Sequence, residues 1–255
     1  MSVINTVIDN LNIHYTDEGS GQPVLFLHGW GSSCDIWQSA INSLKDSCRL
    51  IALDFPGCGQ SDILSQPWKT ADYARLVVDF CKTLKLNNPI LVGHSHGGRV
   101  IMYLCGNKLM LPPKIVLIDA AGLKPKKSFK KQIKVKAFKT VKRCLTLPIL
   151  KKYTDSLLQK ARSFFGSSDY NDAPEVMRKT LVSLVNDDMT DIVGNISCPT
   201  LLIWGDKDTD TPLYMANRLT ELIKDTGLCV LEGTGHFSFV QKPLQANAIL
   251  KSFLS

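Results

Sequence analysis

The sequence predicts an α/β fold, a mostly parallel, doubly wound sheet with helices on both faces. Three observations lead there. Short runs such as Val24-Leu25-Phe26-Leu27 and Ile115-Val116-Leu117-Ile118 are apolar throughout, as strands covered on both faces must be. Stretches with apolar residues three or four apart alternate with those runs, the pattern of strand–helix units that feed a parallel sheet. The length of 255 residues, with 44% hydrophobic and 21% charged residues, suits one large soluble domain with a well-buried core.

In chain order, Ser2 to Ile8 and Leu11 to Thr16 flank Asp9-Asn10 and read as a hairpin. Val24 to Leu27 and Arg49 to Leu53 read as buried strands. Asp72 to Leu86 has helical spacing, with Tyr73, Leu76, Val77, Phe80 and Leu84 on one face. Pro89 to Val92 is a strand, Arg99 to Gly106 a helix, and Lys114 to Ile118 the sixth strand. Strand signals vanish from Gly122 to Ser197. They resume as strand Thr200 to Trp204, helix Leu213 to Ile223, strand Leu228 to Leu231 and helix Leu244 to Leu254. The intervening segment is thus an insertion after the sixth strand, at the carboxyl edge of the sheet, where open α/β sheets bind ligands. The expected division is a core of residues 1–122 and 198–255 and a helical cap, or lid, of residues 123–197.

The run Gly93-His94-Ser95-His96-Gly97-Gly98 joins a strand to a helix and places a serine at a tight turn. Such a turn forces its apex residue into strained backbone angles, and a side chain two residues before or after it would clash. Glycine stands at both places, so the Ser95 hydroxyl is expected at the carboxyl end of the sheet, within reach of a base.

A serine hydroxyl is a weak nucleophile that needs a base, and the base needs an orienting acid. The five histidines are His14, His28, His94, His96 and His236. His14 lies in the hairpin and reads as structural, while His94 and His96 flank Ser95 and cannot easily turn back onto it. His236 sits in a glycine-flanked loop after the last strand, and the order serine, acid, histidine is that of this motif class. The acid is Asp119, at the end of the sixth strand, or a member of the cluster Asp206, Asp208 and Asp210. Asp206 suits a turn cap, which would leave Asp208 free to face His236; spacing alone does not decide.

Five segments in order resemble the α/β-hydrolase superfamily, in its cap-containing serine hydrolase (esterase-like) branch. They are Phe26 to Trp30, Asp54 to Asp62, Gly93 to Gly98, Cys198 to Asp208 and Gly235-His236-Phe237. The resemblance implies Ser95 as nucleophile, His236 as base and Asp208 as acid. It also implies an oxyanion hole made by the backbone N–H groups of Trp30 and His96, of the kind that stabilises a tetrahedral intermediate. Relatives often carry histidine where this chain has Cys58. A serine nucleophile argues against the dehalogenase and epoxide-hydrolase branches, whose intermediate is an ester to aspartate. The implied activity is cleavage of a carboxylic ester of a largely apolar small molecule, with no metal and no organic cofactor. Alternatives are a carbon–carbon bond hydrolase or a lyase/synthase using the same triad, and a non-catalytic ligand receptor on the same fold.

Composition narrows the partners. The eight cysteines contain no Cys-x-x-Cys pair, so zinc-knuckle and thioredoxin-like motifs lack support. Scattered thiols, no apolar run long enough to span a bilayer and no leader-like N-terminus point to the cytoplasm. The net charge is +7, but the stretch from Lys124 to Lys152 holds eleven Lys, one Arg and no acid, so the remainder carries 7 − 12 = −5. So local an excess argues against nucleic acid as a partner. Between Ser128 and Leu145, apolar residues recur at helical spacing among those lysines (Phe129, Ile133, Ala137 or Phe138, Val141, Leu145). The expectation is a lid helix with a solvated basic back and weak contact with anionic membrane surfaces.

Overall fold

A computed structural model describes residues 3–124 and 173–255. The expected lysine-rich lid helix and most of the expected cap lie outside the described residues.

Eight strands form one sheet: β1 (Val3–Ile8), β2 (Leu11–Gly19), β3 (Pro23–Leu27), β4 (Arg49–Leu53), β5 (Ile90–His94), β6 (Ile115–Ile118), β7 (Thr200–Gly205) and β8 (Thr226–Leu231). Their spatial order is β1-β2-β4-β3-β5-β6-β7-β8. β1 pairs antiparallel with β2, and β2 with β4. All pairings from β4 onward are parallel. The order reverses at β3, which lies between β4 and β5, so a crevice opens between the carboxyl ends of β3 and β5.

The strand side chains divide with a period of two. Leu25 and Leu27, Ile51 and Leu53, Leu91, Ile115 and Leu117, and Leu202 and Trp204 enter one core. Helices α2 (Thr70–Thr83), α3 (His96–Gly106) and α5 (Tyr214–Leu222) cover that face, with Tyr73, Phe80, Ile101 and Leu219 among the buried residues. Val24 and Phe26, Leu50 and Ala52, Val92, Val116 and Ile118, and Ile203 enter the other. Helices α1 (Gln38–Leu44) and α7 (Pro243–Leu254) cover it, through Ile41, Leu44, Leu250 and Leu254. Burial on both faces is why these strands carry no polar alternation.

Two more α-helices are α4 (Glu175–Asn186), within the range expected for the cap, and the single turn α6 (Ser238–Gln241), and short 3-10 helices span Cys34–Trp37 and Val193–Asn195. α2 ends at Thr83, short of the expected Leu86, because Lys85 (φ 53°) and Asn88 (φ 50°) adopt left-handed backbone that no α-helix continues. No helix among the described residues is long and apolar enough to cross a membrane.

Candidate active site

β5 delivers Ser95 to the crevice. Ser95 is the N-cap of α3, with φ 49° and ψ −109°. A non-glycine residue in that region carries about 1–3 kcal/mol of strain and persists only where its surroundings fix it. The surroundings do so here. The Ser95 N–H donates to Ile118 O (3.0 Å), and Ser95 O accepts from the N–H groups of Arg99 (3.1 Å) and Ala121 (3.0 Å). The Gly97 N–H donates to His28 O at 3.1 Å. A Cβ on Gly93 would lie 2.6 Å from backbone atoms of Gly97 and Gly98, and one on Gly97 would overlap the Leu27 carbonyl. The turn therefore closes only with glycine at both positions.

The loop after β8 brings His236 over the serine. The Ser95 hydroxyl donates to His236 Nε2 at 3.0 Å, and His236 Nδ1–H donates to Asp208 Oδ2 at 2.8 Å. The Asp208 side chain is fully buried and that of His236 is 14% exposed. Asp208 Oδ2 also accepts from the Thr211 hydroxyl (2.7 Å), and Oδ1 accepts from the N–H groups of Asp210 (2.8 Å) and Thr211 (2.9 Å). Burial pushes the Asp208 carboxyl upward, but these donors and the His236 ring outweigh it and hold the group below its ordinary range. Burial likewise opposes a charge on His236. The Asp208 hydrogen bond and charge, with Asp210 and Asp119 beyond, overcome it and raise the ring above its ordinary value of 6.5. A ring must be neutral to take a proton from serine, so if His236 is the base, kcat/KM is expected to rise with pH through an ionisation above 6.5. A limb at or below that value in a pH–rate profile contradicts this.

Asp119 does not meet the histidine. It ends β6 with φ 43°, fully buried. Its Oδ1 accepts from the Gly205 N–H (2.8 Å) and its Oδ2 from the Ser238 N–H (3.1 Å) and hydroxyl (2.6 Å). It thus fastens the ends of β6 and β7 to the turn that follows His236. Burial lifts its pKa to about 7 against the pull of those donors, with the Asp208 charge adding to the rise. Asp206 accepts from the Gly233 N–H and ties the two loops outside the site, a turn contact as its position suggests.

The remaining histidines divide by their partners. His28 Nε2 accepts from the Phe55 N–H (2.9 Å), so Nδ1 carries the proton and donates to Gly29 O (2.6 Å). Its ring thereby pins the β3 loop that carries Trp30. His94 Nε2–H donates to His236 O at 2.7 Å, and burial holds the ring neutral, down to about 3. His14, on β2, pairs with Asp54, just after β4, at 2.8 Å. Ligand atoms of His14, Cys34 and Asp54, and of Asp208, Asp210 and His236, lie close enough to hold a metal ion. In each group the histidine already hydrogen-bonds a carboxylate of the group.

The N–H groups of Trp30 and His96 donate to no protein acceptor among the described residues. Both follow strands that border the crevice, and their rings meet at 6.2 Å between centroids. Two residues that serve the site had no distinct sequence signal. Thr211 could be inferred only from its place three residues after Asp208, the spacing of a side-chain-to-backbone turn. His28 fixes the Trp30 loop through Gly29 O, next in the chain, and the Phe55 N–H at the end of the neighbouring strand β4, a contact that sequence spacing does not show.

An eight-stranded, mostly parallel sheet with a serine at a strained strand–helix turn defines an α/β hydrolase. The chain belongs to the alpha/beta hydrolase family, whose profile matches residues 24–248. It is 28% identical over 261 residues, 96% of each chain, to the AB hydrolase superfamily protein YisY of Bacillus subtilis. It is 26% identical over 246 residues to the pimeloyl-[acyl-carrier protein] methyl ester esterase of Pectobacterium atrosepticum, covering 91% of this chain and 94% of that one. The esterase EaEST from Exiguobacterium antarcticum superposes with a TM-score of 0.77 at 25% identity, over 99% of both chains.

Proposed function

We propose that this chain is a serine hydrolase that cleaves a carboxylic ester through an acyl-enzyme. The observation that carries the reading is the continuous line from the Asp208 carboxylate through His236 to the Ser95 hydroxyl, beside two unused amide donors. His236 Nε2 takes the Ser95 proton as Oγ attacks the ester carbonyl, and the Trp30 and His96 N–H groups receive the oxyanion. His236 then gives the proton to the leaving alcohol. A water deprotonated by the same ring attacks the acyl-enzyme and releases the acid. Asp208 keeps the proton on Nδ1 and stabilises the imidazolium between those steps. Esterase relatives support the choice of bond. The proposal takes residues 123–197 as a cap over this site and its apolar residues as the substrate wall. The basic back is expected to bind anionic vesicles at low salt.

The test combines a fluorophosphonate probe with p-nitrophenyl esters of graded chain length. Labelling and turnover in the native protein, both lost in Ser95→Ala, are expected. Labelling without turnover of any ester would overturn the ester reading in favour of carbon–carbon bond cleavage by the same triad. A native protein that does not label would remove Ser95 as nucleophile.

A further inference from the structure

The first turn of α3 holds two buried polar side chains that the proposed reaction leaves unused. His96 follows the nucleophile directly. Its ring is buried, and neither Nδ1 nor Nε2 has a hydrogen-bond partner. The rings of Phe55 (5.3 Å between centroids) and Tyr73 (4.7 Å), with Trp30, surround it. Arg99 lies one turn further along the same helix, where its N–H bonds Ser95 O. It is 8% exposed, and its Nε has no partner. The acid that acts on it is Asp187, through charge and without a hydrogen bond.

A guanidinium this buried is normally paired with a carboxylate or phosphate, because an uncompensated charge in low dielectric costs several kcal/mol. Among the described residues Arg99 feels the charge of Asp187 but has no hydrogen-bonded carboxylate, and a ligand carboxylate would supply one. The site is next to the chemistry, since one helical turn advances about 5.4 Å. It is also at the N-terminus of an eleven-residue helix, where the backbone favours a negative group.

We propose that His96 and Arg99 form a subsite for a carboxylate carried by the acyl part of the substrate. The inference rests on the ester-hydrolase reading and narrows it: the preferred substrate is a monoester of a short dicarboxylic acid, apolar along its chain and anionic at its far end. Arg99 supplies the charge and a planar fork of donors that matches a carboxylate. His96, kept neutral by burial and by the nearby charge of Arg99, supplies one ring N–H. The aromatic rings around His96 exclude water there and strengthen its contact.

The experiment compares mono-p-nitrophenyl glutarate with p-nitrophenyl valerate, which differ mainly in the terminal carboxylate. The native protein is expected to favour the glutarate by about tenfold or more in kcat/KM, and Arg99→Gln to lose that ratio. Arg99→Lys is expected to keep part of it. Glutarate itself is expected to raise the melting temperature and to slow fluorophosphonate labelling, in the native protein and not in Arg99→Gln. A native ratio at or below one, or a ratio unchanged in a folded Arg99→Gln, overturns the subsite. If Arg99→Gln does not fold, the native ratio and the glutarate protection decide the matter. Stabilisation by glutarate in a protein that hydrolyses neither ester supports the subsite and overturns the ester reading instead.

Discussion

Asp208→Asn is expected to lower kcat/KM for an ester about ten-thousand-fold, and Asp119→Asn by about a hundredfold at most. The two carboxylates end neighbouring strands, and either suits the chain order of the motif, so the contrast separates them. Asp208 Oδ2 accepts the proton-bearing Nδ1 of His236 at 2.8 Å. An asparagine could keep the donors from Asp210 and Thr211 on its carbonyl oxygen, but its NH2 would then face Nδ1. The ring would have to accept there and turn its N–H toward Ser95, where it can no longer take a proton. Asp119→Asn leaves the tautomer alone. It sets an NH2 group against the N–H of Gly205 or of Ser238, which costs about 1–3 kcal/mol of stability and loosens the turn after His236. Steady-state kinetics and urea midpoints of both variants check the pair of outcomes. The reverse order of activities would transfer the role of acid to Asp119.

Gly97→Ala is expected to destabilise the protein by about 3 kcal/mol or more, read as a fall in the urea midpoint. The added Cβ would overlap the carbonyl of Leu27, a buried backbone atom in the sheet beside β5. Neither partner can yield, because β3 is paired on both sides and the Gly97 N–H is already bonded to His28 O. The comparison is Gly235→Ala, in the loop before His236, where the nearest atom to a new Cβ is the Gln241 side-chain nitrogen at 3.9 Å. That variant is expected to stay within about 1 kcal/mol of the native protein. Equal midpoints for the two would refute the steric account of the turn.

The strands were the most legible part of the chain, because burial on both faces removes polar residues and leaves runs such as Val24 to Leu27 unmistakable. The start of α3 was not, since helical spacing becomes visible only at Arg99. The helix begins at His96, and the glycines at 97 and 98, demanded by the turn, suppress the helical pattern there. Helix α1 escaped for a related reason: its two turns are mostly polar and bury only Ala40, Ile41 and Leu44. Within the site, Ser95 and His236 stood out because each sits among glycines. Which of Asp208 and Asp119 meets Nδ1 was not open to spacing, since that contact is made across loops from different strands. The unpartnered state of Arg99 Nε and of the His96 ring nitrogens was equally hidden, for a missing hydrogen bond has no sequence pattern.

Asp119 has a bearing on how a substrate gets in. The segment after His236 is stapled through one fully buried carboxylate to the ends of two inner strands, and the His236 carbonyl is held by His94 as well. The base therefore travels with the sheet and not as a flap. Lifting it would expose a buried acid and break the edge of the core in the same event. On the proposed reading, entry and product release are then not gated by movement of His236, and the proposed triad stays assembled between turnovers.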